Sequence, residues 1–287
     1  MKTTQALSLA AAIAAVLFCA NADGTQPGAA EAETAEVAAA ASHGDSEQRL
    51  ETPDAAANPV GKSQSKQLRI ELSLYTWLSS LSTDLEMRDT EVTSDVDFST
   101  ILDALDFANF AHFEVQRGKW GLFSELDFIK LSEDTEFRRP GSGVPFRIHA
   151  DGVLKETMIE LGAIRSFEGC RVGFDVLAGA RYFRLESDVR VGPFESSISK
   201  DWVDPLIGGR LRYRLSDKWL ASLRADLAGF GAGSELTTNI VATVGYDISD
   251  RYALRFGYRY MDLNYEKDAL EMSTTTYGPV LGMSIRF

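Results

Sequence analysis

The chain has few of the residues on which disulfide scaffolds, metal sites and nucleic-acid interfaces depend. Two cysteines and three histidines in 287 residues exclude a disulfide framework and a cysteine-based metal site. Basic residues are in deficit, 29 against 42 acidic ones, and they form no cluster. We therefore expect no nucleic acid partner, no metal and no other cofactor.

Long hydrophobic runs are missing too, apart from one segment near the N-terminus. Residues 6–18 are apolar, follow Lys2 and precede Ala20-Asn21-Ala22, which together predict a signal peptide over 1–22 that is removed after Ala22. No later run approaches the ~20 apolar residues of a membrane-spanning helix. Residues 23–66 are rich in alanine and glutamate and lack aromatic residues, so we expect a disordered linker there.

Residues 67–287 carry a different pattern, in which apolar and polar residues alternate. Leu68 and Ile70 alternate with Arg69 and Glu71, for example, and this period of two indicates two-faced β-strands. Ten strands are predicted, at 68–78, 106–117, 119–132, 150–165, 171–185, 201–215, 218–230, 236–249, 251–263 and 273–287. Short turns alternate with longer loops, which are predicted at 79–105, 133–149, 186–200, 231–235 and 264–272.

Strands joined alternately by short turns and long loops are typical of a bacterial outer-membrane barrel. We predict an all-β fold, a transmembrane antiparallel up-and-down β-barrel of about ten strands over residues 67–287, with eight or twelve strands as alternatives. Trp120, Trp219 and Tyr252 stand just past short turns, where aromatic rings suit a membrane interface. A soluble lipocalin-like lipid carrier would show the same alternation with its two faces exchanged.

The polar face favours the membrane barrel, because it is rich in arginine rather than lysine. Arginine forms packed bidentate networks with carboxylates, whereas lysine suits open water. We therefore predict a charge network that largely fills the lumen, so that any pore is narrow and Arg212→Ala enlarges it. The predicted members are Arg181, Arg210, Arg212, Arg214, Arg224, Arg255, Arg259, Glu114, Glu125, Asp127 and Asp226, with Glu71, Glu156, Glu160, Asp175, Asp204 and Asp247 as further candidate partners.

Two resemblances support this prediction. Residues 277–287 alternate and end on Phe287, and they resemble the C-terminal assembly signal of bacterial outer-membrane proteins. Residues 74–78 (LYTWL), 98–108 (FSTILDALDFA), 113–114 and 117–123 (RGKWGLF) are similar to a family of uncharacterised proteobacterial outer-membrane β-barrel proteins. That resemblance covers most of 68–287 and implies a fold and a location, but no activity and no site residues.

Histidine gives the sequence its clearest hint of catalysis. His112 shares a face with Glu114 and lies beside a hairpin that carries Glu125 and Asp127, and His149 is close to Asp151. No nucleophile stands at a spacing that points to either histidine. The acidic segment 79–105 fits no calcium-loop spacing, although 99–105 is a candidate for a short helix.

The function that these features favour is non-enzymatic. We expect a narrow passive pore or a structural, surface-contacting protein in the outer membrane of a Gram-negative bacterium. The alternative is an outer-membrane lipid-modifying hydrolase or acyltransferase that uses His112 or His149. The expected partners are outer-membrane lipid, the outer-membrane assembly machinery and small solutes, and the barrel is expected to be a monomer.

Overall fold

A computed structural model describes residues 68–87, 90–138, 147–191, 193–267 and 270–287. The predicted signal peptide, the predicted linker and His43 lie outside the described residues, and so does the side chain of His149. Among the residues described, no helix is long and apolar enough to cross a membrane.

Twelve strands and one short helix make up the described chain. They are β1 (Leu68–Trp77), β2 (Ser80–Met87), β3 (Thr90–Val96), α1 (Phe98–Ala104), β4 (Leu105–Arg117), β5 (Trp120–Arg138), β6 (Arg147–Glu168), β7 (Val172–Val191), β8 (Phe194–Arg214), β9 (Trp219–Gly229), β10 (Leu236–Asp247), β11 (Tyr252–Lys267) and β12 (Leu270–Arg286).

Ten of these strands form a closed antiparallel barrel. β1 pairs with β4, each strand from β4 to β11 pairs with the next, and β12 returns to pair with β1. The hairpin of β2 and β3 follows the end of β1, and β2 pairs with the first half of β12, residues 271–277. The predicted barrel of about ten strands is therefore confirmed, and the alternatives of eight and twelve are wrong because the ring closes through β1 and β12.

The two ends of the barrel differ in the length of their connections. Four short turns, at 118–119, 169–171, 215–218 and 248–251, lie at one end, which we call the short-turn rim. β1 begins and β12 ends at this same rim. The opposite end, which we call the hairpin rim, carries the β2–β3 hairpin and the ends of the longest strands, β5 to β8.

Most of the long loops predicted at the hairpin rim are wrong, because the structure has strands or a helix at these positions. β5 continues to Arg138, β7 to Val191 and β11 to Lys267, and 79–105 contains β2, β3 and α1, close to the helix predicted at 99–105. The apolar alternation stops earlier because the outward face becomes polar there, as at Arg184 on β7. The strands nevertheless continue because each still has a hydrogen-bonded neighbour. Only 231–235, among the predicted long loops, remains a plain connection.

The outward face of the wall carries a continuous apolar belt. Leu122 and Leu161 are 66% and 61% exposed although both are large and apolar. On β7 the outward residues are apolar or tyrosine from Val172 to Tyr182, and Arg184 follows. On β5 the outward apolar residues extend from Trp120 to Phe128 with Ser124 as an interruption, and Lys130 follows. Exposure of so much apolar surface is unfavourable in water and marks an interaction face.

The inward face closes the lumen toward the hairpin rim. An aromatic layer fills the barrel there, and its members are Trp77, Phe110, Met158, Phe183, Trp202, Met261, Leu263, Tyr265, Met272 and Val280. The Phe183 and Trp202 rings stack with their centroids 5.2 Å apart. Closer to the hairpin rim, α1 buries Ala104 in a second cluster with Val96 and Leu131. The hairpin-rim half of the lumen is therefore packed like the core of a soluble protein.

Candidate functional site

All eleven predicted network residues lie on the inward face of the wall, in two levels along the barrel. The level nearer the hairpin rim, the central charge layer, consists of Arg181, Arg224, Arg259, Glu125, Asp127, Glu160 and Asp226. The level at the short-turn rim, the rim charge layer, consists of Arg210, Arg212, Arg214, Arg255, Arg286, Glu71, Glu114, Glu168, Asp175 and Asp247.

Arg181 is fully enclosed within the central charge layer. Its side chain has no solvent exposure, and the same is true of Glu160 and Asp226. Arg181 Nε and Nη2 donate to Glu160 Oε1 at 2.8 and 2.6 Å, and Nη2 also pairs with Asp226. Glu160 stands directly opposite on β6, whereas Asp226 comes from β9. Charges this deeply desolvated are tolerated only when they are paired.

Arg224 and Arg259 connect opposite parts of the wall. Arg224 on β9 donates to Glu125 on β5 at 3.0 Å and to Glu160 at 2.5 Å. Arg259 on β11 donates to Asp127 on β5 at 2.7 Å. Because these partners belong to strands that are not neighbours in the ring, their side chains cross the lumen. The central charge layer therefore bars the middle of the barrel.

Two neutral residues complete the central charge layer, and neither was among the predicted members. The Tyr75 hydroxyl lies 2.6 Å from Glu125 Oε1 and 2.8 Å from Asp127 Oδ1, and it accepts from Arg259 at 3.2 Å. Asn239 donates to Asp226 and accepts from Arg259, both at 2.9 Å. The strand alternation puts both residues on the polar face and so predicts that they point into the lumen. Because neither side chain is charged, charge alone does not identify them as members of the network.

The rim charge layer is more open to solvent. Arg210 donates to Glu114 at 2.7 and 3.1 Å and to Asp175 at 2.7 Å, and Arg212 donates to Asp175 at 2.9 Å. Arg214 is half exposed, and its nearest carboxylate oxygen, on Asp247, is 4.0 Å away. The Arg210–Glu114 pair joins β8 to β4 and therefore also crosses the lumen, whereas the other pairs of this layer join strands that are adjacent or next-nearest in the ring and leave space beside it.

A cavity of about 530 Å³ occupies that space. It lies between the central charge layer and the short-turn rim, and we call it the vestibule. Arg224 and Arg259 line its inner end, and Asp250 and Phe287 line its rim. The volume is in the range of small-molecule sites. Among the described residues no cluster of histidine, cysteine, aspartate and glutamate side chains is arranged to hold a metal ion.

His112 lines the vestibule and faces carboxylates with both of its ring nitrogens. Nδ1 lies 3.1 Å from Glu125 and Nε2 lies 3.6 Å from Glu114. Ser73 is opposite His112 across the β1–β4 pair, but its hydroxyl is 2.6 Å from that of Ser284. A catalytic histidine must direct one ring nitrogen at the nucleophile and the other at an orienting group. His112 therefore has the contacts of a residue that bridges two acids.

Replacing His112 by glutamine should leave the barrel folded. Glutamine can still donate to Glu125, so the cost is the loss of one charge-assisted hydrogen bond, about 1–3 kcal/mol. Heat-dependent mobility on gels and thermal unfolding in detergent measure this. If the folded variant lost an acyl-hydrolase or acyltransferase activity that the unmodified protein possesses, His112 would be catalytic.

Comparison with known proteins shows similarity in structure but not in sequence. No family model matches the chain, and no curated protein matches it. The Escherichia coli outer membrane protease OmpT aligns with 77% of this chain and 96% of its own at 11% identity and a TM-score of 0.48. Ail of Yersinia pestis aligns with 78% and 100% at 10% and 0.33, and the translocator domain of the autotransporter NalP from Neisseria meningitidis with 78% and 90% at 14% and 0.37. All three are outer-membrane β-barrels. Because the sequence identities and TM-scores are low, the similarity carries no information about the activity of this chain.

Proposed function

We propose that this chain is a non-enzymatic outer-membrane β-barrel that is closed to solutes and acts as a structural, surface-contacting protein. Of the two forms that the sequence allows, a narrow pore and a structural protein, the packing of the lumen favours the second. The observation that carries the proposal is the succession of the central charge layer, the aromatic layer and α1 across one barrel.

The apolar belt supports the membrane location. A transmembrane β-strand needs about 9–11 tilted residues to cross the hydrocarbon core. The outward apolar run on β7 begins at Val172 and ends at Tyr182, and the run on β5, which Ser124 interrupts, begins at Trp120 and ends at Phe128. Both lengths fit one bilayer, and a soluble lipid carrier would instead bury this surface. Partly exposed Trp120, Trp219 and Tyr252 fit the interface at the short-turn rim.

The closed ring also supports the proposed partners. A barrel without a free strand edge satisfies its backbone in lipid without a second chain, so we propose a monomer surrounded by outer-membrane lipid. Phe287 ends the chain one residue after β12, and its backbone N–H donates to the Ile70 carbonyl at 2.9 Å. We propose that Phe287, at this closing seam, is the residue that the outer-membrane assembly machinery recognises.

The proposal predicts that purified protein inserted in planar bilayers gives no steady conductance. The central charge layer, the aromatic layer and α1 follow one another between the vestibule and the hairpin rim, so we expect ions to find no open path through the barrel. Fractionation with outer membranes and heat-dependent mobility on gels are checked first, so that a silent recording reflects a folded barrel. A steady, large current would mean that the charges line an open channel, and recovery as a soluble periplasmic protein would contradict the location.

A further inference from the structure

A group of cations on the lipid-facing side of the barrel differs from the arginines of the lumen. Arg117 and Trp120 face each other across β4 and β5, and Trp120 and Arg165 face each other across β5 and β6. Lys119 stands in the turn between β4 and β5, and Phe167 is two residues beyond Arg165 on β6. We call these five residues the basic–aromatic patch. It lies at the short-turn rim, at one end of the apolar belt.

The aromatic rings hold Arg165 in a fixed position. Its guanidinium carbon lies 4.7 Å from the Trp120 ring centroid and 5.7 Å from that of Phe167. A guanidinium stacked on a ring keeps its N–H groups at its edge, where they remain available to a further partner. The Ser166 N–H donates to the Lys119 carbonyl at 2.8 Å, which fixes the turn beside the two strands.

The three cations of the basic–aromatic patch have no acidic partner within the described part of the chain. Each of the seven predicted lumenal arginines, in contrast, has a carboxylate oxygen within 4.0 Å. An unpaired arginine on the lipid face costs about 2–4 kcal/mol at the centre of a bilayer and about 0–1 kcal/mol near the interface. Three such cations together therefore indicate the interface, where an external anion is within reach.

We propose that the basic–aromatic patch binds the phosphate of one phospholipid headgroup in the leaflet that surrounds the short-turn rim, an inference that rests on the proposed membrane location. Arg165 and Arg117 donate to the phosphate oxygens, as guanidinium groups do in bidentate phosphate contacts. Lys119 adds a point charge from the turn. The exposed side chains of Leu122 and Leu161 lie on the same two strands toward the membrane centre and contact the acyl chains.

The test is lipid retention, measured by native mass spectrometry of the full chain in mild detergent with added phosphatidylglycerol. The unmodified protein should retain one lipid molecule. Arg165→Gln should weaken its binding about tenfold, since a hydrogen bond to a charged group is lost. Arg171→Gln removes a charge from the neighbouring short turn, where no ring among the described residues is stacked on the arginine, and should retain the lipid. Equal loss in both variants would mean diffuse attraction and would overturn the proposal.

Two further arms separate the sources of the phosphate and the causes of failure. Diacylglycerol with the same chains should not be retained, and excess inorganic phosphate should not displace the lipid; displacement would reveal an ion site and contradict a lipid site. Arg117→Gln is a second variant with the same expected direction. If lipid retention is unaffected in Arg165→Gln while the protein still fractionates with outer membranes, only this inference fails. Recovery in the soluble fraction would instead remove the proposed location.

Discussion

Replacement of Arg181 by alanine is expected to lower the free energy of unfolding by about 3–5 kcal/mol, the cost of breaking a buried ion pair from one side. Arg181, Glu160 and Asp226 are all fully enclosed, and the variant leaves Arg224 as the one arginine that pairs with both carboxylates, so a buried negative charge is left in excess. Urea unfolding in detergent micelles, followed by tryptophan fluorescence, measures the loss.

Arg184 provides a matched control on the same strand. It is half exposed on the outward face and donates to Glu186 at 3.0 and 2.5 Å. An exposed pair contributes about 0–1 kcal/mol, so Arg184→Ala should change the unfolding midpoint little. Similar losses in the two variants would mean that burial of the Arg181 pair is not what stabilises the barrel.

The two carboxylates that lose Arg181 offer a second check. If their excess negative charge causes the loss, Glu160→Gln and Asp226→Asn in the Arg181→Ala background should restore part of the stability, because neutral amides are less costly to bury than charges that share one cation. No recovery would assign the effect to the lost volume of the arginine side chain instead.

The barrel could be predicted from the sequence because its two faces meet different surroundings. At Leu122 the outward side chain is apolar, whereas the inward Glu125 is charged, and this contrast gives the period of two. Beyond Tyr182 on β7 the outward residues are Arg184 and Glu186 and the inward ones include Phe183 and Val189, so the contrast is reversed although the strand continues to Val191. The predicted strands therefore end where the apolar belt ends, and the sequence pattern predicts loops where the structure has extended strands.

The same alternation identifies which side chains point into the lumen, but it does not show which arginine pairs with which carboxylate. Arg210 meets Glu114, 96 residues away, and Arg255 meets Glu71, 184 residues away, because closure of the ring directs their side chains into one lumen. The sequence also could not show that the charges form two levels. Arg212, whose removal is predicted above to enlarge a pore, pairs with Asp175 on the neighbouring strand, and the arginines that cross the lumen are Arg210, Arg224 and Arg259.

Gly179→Ala is expected to destabilise the barrel by about 1–3 kcal/mol, the usual cost of overpacking. Gly179 on β7 faces Gly162 on β6 from the inward side. A methyl group at Gly179 would overlap the Leu161 carbonyl oxygen and lie 2.6 Å from Gly162 Cα. Both obstacles are backbone atoms, so the two strands must separate. Thermal unfolding in detergent, compared with the unmodified protein, measures the effect.

The same two strands carry Glu160 and Arg181 at the next inward positions, so the substitution should also strain the central charge layer. A methyl at Gly162 would meet Phe123, whose ring lies 5.3 Å from the Arg224 guanidinium, so the paired glycines make room for a ring that supports the same layer. Gly209→Ala is the control: its methyl would point outward, 3.3 Å from the Phe174 ring, and should change stability by no more than about 1 kcal/mol. Because Gly179 and Arg181 affect one network, their effects should not add when combined. Additive losses would mean that the glycine pair shapes the wall alone and that the central charge layer holds its geometry independently of strand spacing.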